Sequence, residues 1–262
     1  VIPLGYGDLV MAAGAVVALA LANRMAGLGV SRQLLWLAAR GSAQLLLLGL
    51  VLRFVIGTTD PVMVGLMALF MLGVAAREVK IRQARPLTGQ WGYAAGALAM
   101  FLSSFLFTAF ALAVVLGPDP WWAPRFSIPL LGMLLGNTMN GVSLATERLT
   151  EAVVRSREVI EQRLALGETR EHAVSDIARE SVRAGLIPIF NAMAAAGVVS
   201  LPGMMTGQIL AGAPVDQAVR YQILILLLIA AGTGFGVLAA VRVVSRRLFD
   251  DRHRLRLDRL TA

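Results

Sequence analysis

The sequence predicts an all-α polytopic membrane protein, and three observations predict it. Of its 262 residues, 57% are hydrophobic and 15% charged, whereas an ordinary soluble domain is about 25% charged and needs that polar shell. Apolar runs long enough to cross a hydrocarbon core, which takes about 20 helical residues, recur along the whole chain. The basic residues that remain are divided unequally between alternate loops, as the positive-inside rule requires of a membrane protein.

Seven runs qualify as spans: Leu4–Ala22, Leu34–Leu52, Pro61–Ala76, Trp91–Leu116, Phe126–Thr146, Ala184–Val215 and Tyr221–Val241. The first carries Asp8 near its start and no preceding basic segment, so it reads as a retained helix and not as a cleavable signal peptide. The second contains Arg40 and Gln44, the third a methionine every four residues at Met63, Met67 and Met71. The sixth is the anomaly. Its 32 uncharged residues would make a single helix of about 48 Å, and dividing it into two crossings would reverse the charge bias downstream. Pro188 and the pair Pro202-Gly203 suggest one span broken near Pro202, followed by an irregular or re-entrant piece, because proline removes a helical hydrogen bond and glycine tolerates unusual dihedrals.

Orientation follows from counting Lys and Arg. One set of loops and ends holds 20 of them, including seven arginines from Arg148 to Arg183 and seven from Arg242 to Arg259, while the other set holds Arg53, Arg125 and Arg220. The prediction is an N-terminus outside and a C-terminus in the cytoplasm. The formal net charge of +8 thus reports topology and gives no reason to expect nucleic acid. The basic tail 242–262 reads as a site for anionic lipids just inside the membrane.

Between the fifth and sixth spans, residues 147–183 carry 15 charges in 37 residues. Leu149, Val153, Ile160 and Leu164 share one helical stripe, and Val174, Ile177, Ala178 and Val182 another. Gly167 suits the left-handed cap of the first helix and Thr169 the N-cap of the second. The segment is therefore a cytoplasmic helical hairpin, either a solvated extension of two membrane helices or a docking element for a soluble partner.

Glu161, Gly167 and Ile177 have the spacing of the EAA loop of ATP-binding cassette permeases, although Gln162 and Arg163 replace its alanines and no Leu-Pro follows Ile177. The stretches Gly136-Asn-Thr-Met-Asn-Gly141, Asn191-Ala-Met with Gly197 after it, and Ser200-Leu-Pro-Gly-Met-Met-Thr-Gly-Gln208 with Ile209-Leu-Ala-Gly212 resemble the bacterial FetB (YbbM) family of ABC permeases. Arg40, Gln44, Ala218, Tyr221 and Gln222 fit as well, so the resemblance covers nearly the whole chain. It implies a single permease domain over residues 1–262 in the bacterial inner membrane, working as a homodimer with a separate FetA-type ABC ATPase. It further implies iron export and metal or oxidative-stress homeostasis. Plant relatives of the family take part in aluminium tolerance, with a sugar nucleotide as suggested cargo.

The chemistry legible in the residues is that of transport. With no cysteine in the chain, disulfides, thiolate catalysis and Cys-bound metals are excluded. No phosphate cradle of the Gly-x-x-x-x-Gly-Lys-Ser/Thr type occurs, so this chain binds no cofactor of its own and ATP and Mg belong on a partner chain. His172 and His253 both lie in the hydrophilic segments, and neither a His-Glu-x-x-His site nor a Gly-x-Ser-x-Gly elbow appears, which argues against an enzyme. Candidate residues for a substrate path are Arg40, Gln44, Asn137, Asn140, Asn191, Pro202, Gly203, Met204, Met205 and Gln208. Arg40 either meets an anion inside the protein or snorkels to the surface, and the amides either contact substrate or bond between helices. Candidates for coupling to the ATPase are Glu161, Leu166, Gly167, Glu168, Thr169 and Ile177. Met63, Met67 and Met71 are either soft metal ligands or packing residues. An organic anion is an alternative cargo to iron, and an ATPase-independent channel or carrier an alternative mechanism.

Overall fold

The computed structural model describes residues 5–57 and 60–261; Leu4, where the first predicted run starts, and Ala262 lie outside the described residues. The chain divides into two compact units, Val1–Thr59 and Asp60–Ala262.

The first unit consists of α1 (Tyr6–Met25) and α2 (Ser31–Ile56). Asp8 starts α1 by accepting from the Gly5 amide at 2.8 Å. The connection turns on Gly27 and Gly29, whose φ values of +69° and +72° lie in the left-handed region that glycine enters without a steric penalty. Ser31 then donates its hydroxyl to the Ala20 carbonyl at 2.7 Å, fixing the start of α2 beside the end of α1.

The second unit is a helical bundle built around α5. Its long helices are α3 (Pro61–Arg82), α4 (Trp91–Leu116), α5 (Pro124–Arg155), α8 (Ser175–Ala195) and α10 (Val215–Arg247), and its short ones α6 (Arg157–Ala165), α7 (Arg170–Ala173) and α9 (Gly203–Leu210). Asp60 caps α3 by accepting from the Val62 amide at 2.9 Å, and Pro61 occupies the first helical position, where its missing N–H is not needed. On α5, Leu131, Leu135, Val142, Ala145, Leu149 and Val153 recur at spacings of three, four and seven and are all buried, so one continuous stripe runs from the membrane part into the hydrophilic hairpin. Glycines bring the central helices close. A side-chain carbon on Gly185 of α8 would lie 2.6 Å from the Gly141 carbonyl oxygen of α5, and one on Gly236 of α10 would lie 2.4 Å from Thr138 of α5. Such small-residue contacts let backbones approach where lipid supplies no hydrophobic drive between helices.

Two segments of α4, Phe101–Phe105 and Ala111–Leu116, are wound as π-helix. Each loosens the i→i−4 ladder locally; Ser103 within the first and Thr108 between the two return their hydroxyls to carbonyls one turn earlier, at 2.8 and 2.7 Å.

Among the described residues six helices, α1 to α5 and α10, are long and apolar enough to cross a membrane, and the chain is a multi-pass membrane protein. The sixth predicted run departs from that pattern. Its helix, α8, starts at Ser175, nine residues before the apolar run, so its first turns are charged. It runs unbroken through Pro188 and stops at Ala195. The break is therefore at 196–202, where Gly197 adopts φ +78°, and Pro202 does not interrupt a helix but forms the N-cap of α9. A proline there loses nothing, since the N–H groups at a helix start have no intrahelical acceptor. Val198 and Val199 at the tip of this break are 89% and 85% exposed.

The segment after α10 is folded against the bundle. Helix α10 continues to Arg247, and residues 248–261 then fold back over the arginine-rich end of the bundle instead of projecting from it. Leu87 in the α3–α4 connection stands opposite Leu260, with Thr88 N–H donating to the Arg259 carbonyl at 2.8 Å and Thr261 N–H to Pro86 at 3.0 Å. Leu248, Phe249 and Leu260 are buried in the same apolar cluster as Ile160 and Val174 of the hairpin.

Candidate functional site

The hairpin is assembled from the membrane helices themselves. Helix α5 supplies its first arm as far as Arg155, α6 follows after a break at Ser156, and α7 leads into α8. Ile160 is buried, and Leu164, Ile177, Ala178 and Val182 pack against the same cluster. The turn has the chemistry expected of its residues: Gly167 sits at φ +93°, and the Thr169 hydroxyl accepts from the His172 amide at 3.4 Å. Arg163 bridges to Asp176 across the turn at 3.4 Å, and Arg148 on α5 reaches Glu180 on α8 at 3.5 Å. Glu161 is paired with Arg157 at 2.8 Å, which raises the guanidinium pKa above its ordinary value, and a hydrogen bond from Arg170 holds the Glu171 carboxyl below its own. Against this charged background Leu166, next to Gly167 and Glu168 at the turn, is 85% exposed.

A second polar region follows the exposed face of α5. Asn137 turns its amide N–H back to the Met133 carbonyl at 2.8 Å, whereas Asn140 accepts from Arg82 Nη1 of α3 at 2.8 Å. Two turns further, Glu147 accepts from the Ala84 amide at 2.8 Å, and Arg82 lies 4.0 Å from Glu78. Asn140 thus bonds between helices and Asn137 within its own. Asn191 is exposed on the last turns of α8. Pro202 and Gly203 open α9, Met204 packs against the apolar cluster around Leu112 and Leu134, and Met205 is half-buried. Gln208 on α9 and Gln222 on α10 each bury a carbonyl oxygen that receives no hydrogen bond. Arg40, half-buried, and Gln44, exposed, belong to α2 in the first unit.

The methionine stripe lies half-buried along α3. Met71 packs into the core with its methyl 3.2 Å from the space beside Gly132 on α5. Among the described residues no group of three or more His, Asp or Glu could hold a metal ion. Sequence reasoning missed Arg82 and Glu147 as partners of the α5 face, because such pairs join residues about 60 positions apart. It also missed an apolar groove of about 320 Å³ lined by Pro61, Val64, Phe105, Leu112, Trp121 and Trp122 among others, whose one sequence signal is the adjacent tryptophan pair.

The model of the uncharacterised protein family UPF0014 matches residues 6–249. The chain belongs to the UPF0014 family. Within UPF0014 the chain is 38% identical to the UPF0014 membrane protein slr1647 of Synechocystis over 87% of this chain and 88% of that protein. It is 31% identical to the probable iron export permease protein FetB of Escherichia coli K12 over 95% and 93%. It is also 33% identical to the UPF0014 membrane protein STAR2 of rice over 87% and 79%. No solved structure matches the chain.

Proposed function

We propose that this UPF0014 chain is the membrane-spanning permease subunit of an ATP-driven exporter, paired as a homodimer with a separate ABC ATPase of the FetA type. The observation that carries the reading is Leu166, 85% exposed at the turn of a hairpin whose two arms are continuous with, or packed against, the central helices α5 and α8. A partner that grips this turn moves both helices at once. ATP and Mg reside on that partner, and this chain contributes binding and movement. The arginine-rich end faces the cytoplasm of a bacterial inner membrane, where residual arginines such as Arg242 and Arg246 meet anionic lipid.

Similarity to the E. coli protein named as a probable iron export permease supports iron as cargo. A specific observation favours a second reading: the exposed face of α5 offers amides and the Arg82 guanidinium, groups that suit an organic anion, or iron carried by an anionic chelator, better than a bare cation.

The test is capture of an ABC ATPase of the FetA type by detergent-solubilised protein, with ATP hydrolysis measured in the same preparation. Leu166→Asp is expected to abolish stimulation of hydrolysis while leaving the thermal transition of the permease unchanged, since the side chain touches little of its own fold. Retained capture and full stimulation by the variant would sink the proposal. Proteoliposomes that compare ferrous ion, chelated iron and organic anions then decide the cargo.

A further inference from the structure

A sequence this rich in arginine after α10 suggests a free tail lying on lipid, yet its arginines are largely occupied within the protein. The Arg247 guanidinium stacks 4.3 Å over Trp91, Arg254 bonds Asp250 at 2.9 Å, and Arg256 bonds Asp258 at 2.8 Å. Arg259 Nη1 donates to the carbonyls of Arg247 at 2.7 Å and Phe249 at 3.1 Å, two acceptors that the end of α10 otherwise leaves unpaired. From this anchor the segment reaches in two directions. It pairs with the α3–α4 connection through Leu87 and Leu260, which are 3% and 8% exposed, and it touches the hairpin where the Arg170 N–H donates to His253 Nδ1 at 3.3 Å. The α3–α4 connection is itself tied to α5 by the bond from Ala84 to Glu147.

We propose that residues 248–261 form a clasp that fixes the hairpin to the α3–α4 connection and the end of α10, so that the three move as one body. Arg259 is its positioning residue, and Leu260 and Phe249 its apolar seat. The clasp gives the hairpin a second route into the bundle besides its own two arms: displacement of the turn is transmitted to α3 and α10 as well as to α5 and α8. This consequence for transport rests on the ATPase-driven reading above, whereas the restraint on the hairpin does not.

The geometry supplies a test. Leu87 and Leu260 face each other at a position where the flanking residues exchange the hydrogen bonds, so their Cα atoms stand about 4.5 Å apart, within the disulfide range of about 4.4–6.8 Å. The chain has no native cysteine, so Leu87→Cys with Leu260→Cys gives one defined cross-link. The opposite perturbation, Arg259→Ala with Leu260→Asp, releases the clasp. Amide hydrogen exchange over residues 157–173 is expected to rise about tenfold on release while α4 and α5 stay protected, and transport per ATP hydrolysed is expected to fall about tenfold with ATPase capture intact. The oxidised cross-link should leave both at parental values. Unchanged hairpin exchange after release, full coupling by the released variant, or arrest of transport by the cross-link would each overturn the clasp. If the parental chain captures no ATPase, the exporter reading fails and hydrogen exchange alone judges the clasp.

Discussion

Replacing Gly185 by alanine adds one methyl group where two helix backbones meet. The new carbon would stand 2.6 Å from the Gly141 carbonyl oxygen, 2.8 Å from Ala145 Cβ and 3.1 Å from Val237 Cγ1, when ordinary contact begins at 3.4 Å. Two of these neighbours have no torsion with which to withdraw, since one is backbone and the other a Cβ, so α5 and α8 must separate by about 0.8 Å, the shortfall at the closest contact. Overpacking of this kind costs roughly 1–3 kcal/mol, and a backbone obstacle places Gly185→Ala in the upper half of that range. Alanine returns about 1 kcal/mol through its helix propensity, leaving a net loss of about 1–2 kcal/mol. At roughly 2–4 °C per kcal/mol, the apparent melting temperature in detergent should drop by about 2–8 °C. The control is Gly73→Ala on α3, where nothing lies within 4 Å of the added carbon; it should melt at or above the parent. A Gly185→Ala protein that melts at or above the parent, as the Gly73→Ala control does, would refute the close-packing account of the α5–α8 pair.

Other outcomes follow from the same coordinates. Asp250 accepts from the Arg254 and Arg252 amides and from Arg254 Nε, each at 2.9 Å, and the Arg254 amide bond leads in holding its carboxyl below the ordinary aspartate value. A depressed folded-state value means that the stabilisation is complete above the unfolded value of about 3.9 and is lost as pH falls through the folded one. Exchange of residues 248–261, corrected for intrinsic rate, should therefore rise only in acid, and Asp250→Asn should remove that dependence by weakening the segment at every pH. Met67→Leu with Met71→Leu should change stability by less than about 1.5 kcal/mol, as volume-conserving core swaps do, and leave export intact; loss of metal-dependent transport with unchanged melting would instead assign the stripe to the cargo.

The parts of the fold that were legible in the sequence are those decided by local chemistry. Hydropathy finds the long helices but ends several of them early, by nine residues at the end of α5 and six at each end of α10, and the Gly167 and Thr169 caps and the two apolar stripes of the hairpin depend on neighbours three to seven positions away. What escaped is decided at longer range. The stripe of Val174, Ile177 and Val182 was visible, but not that its helix runs on without a break from Ser175 into the apolar run, because the charges of its first turns end the hydropathy signal at Ala184. Pro202 looked like a helix breaker but sits at an N-cap, where proline breaks nothing. Leu248, Phe249, Leu255, Leu257 and Leu260 follow neither a helical nor a strand period, so only their packing with Leu87 and the hairpin reveals Leu248, Phe249 and Leu260 as buried and Leu255 and Leu257 as half-buried. On α5 the polar residues were visible one by one, but the bond from Arg82 to Asn140 was not.

The length of α5 has a spatial consequence. Its 32 residues extend about 48 Å, well beyond a hydrocarbon core of about 30 Å. Gly141, where α8 presses closest, lies about 25 Å from one end and about 21 Å from the other. The groove and the hairpin therefore stand at opposite ends of one continuous helix: Ser127, Ile128 and Leu131 near its start line the tryptophan-lined groove, and its last turns to Arg155 open the hairpin.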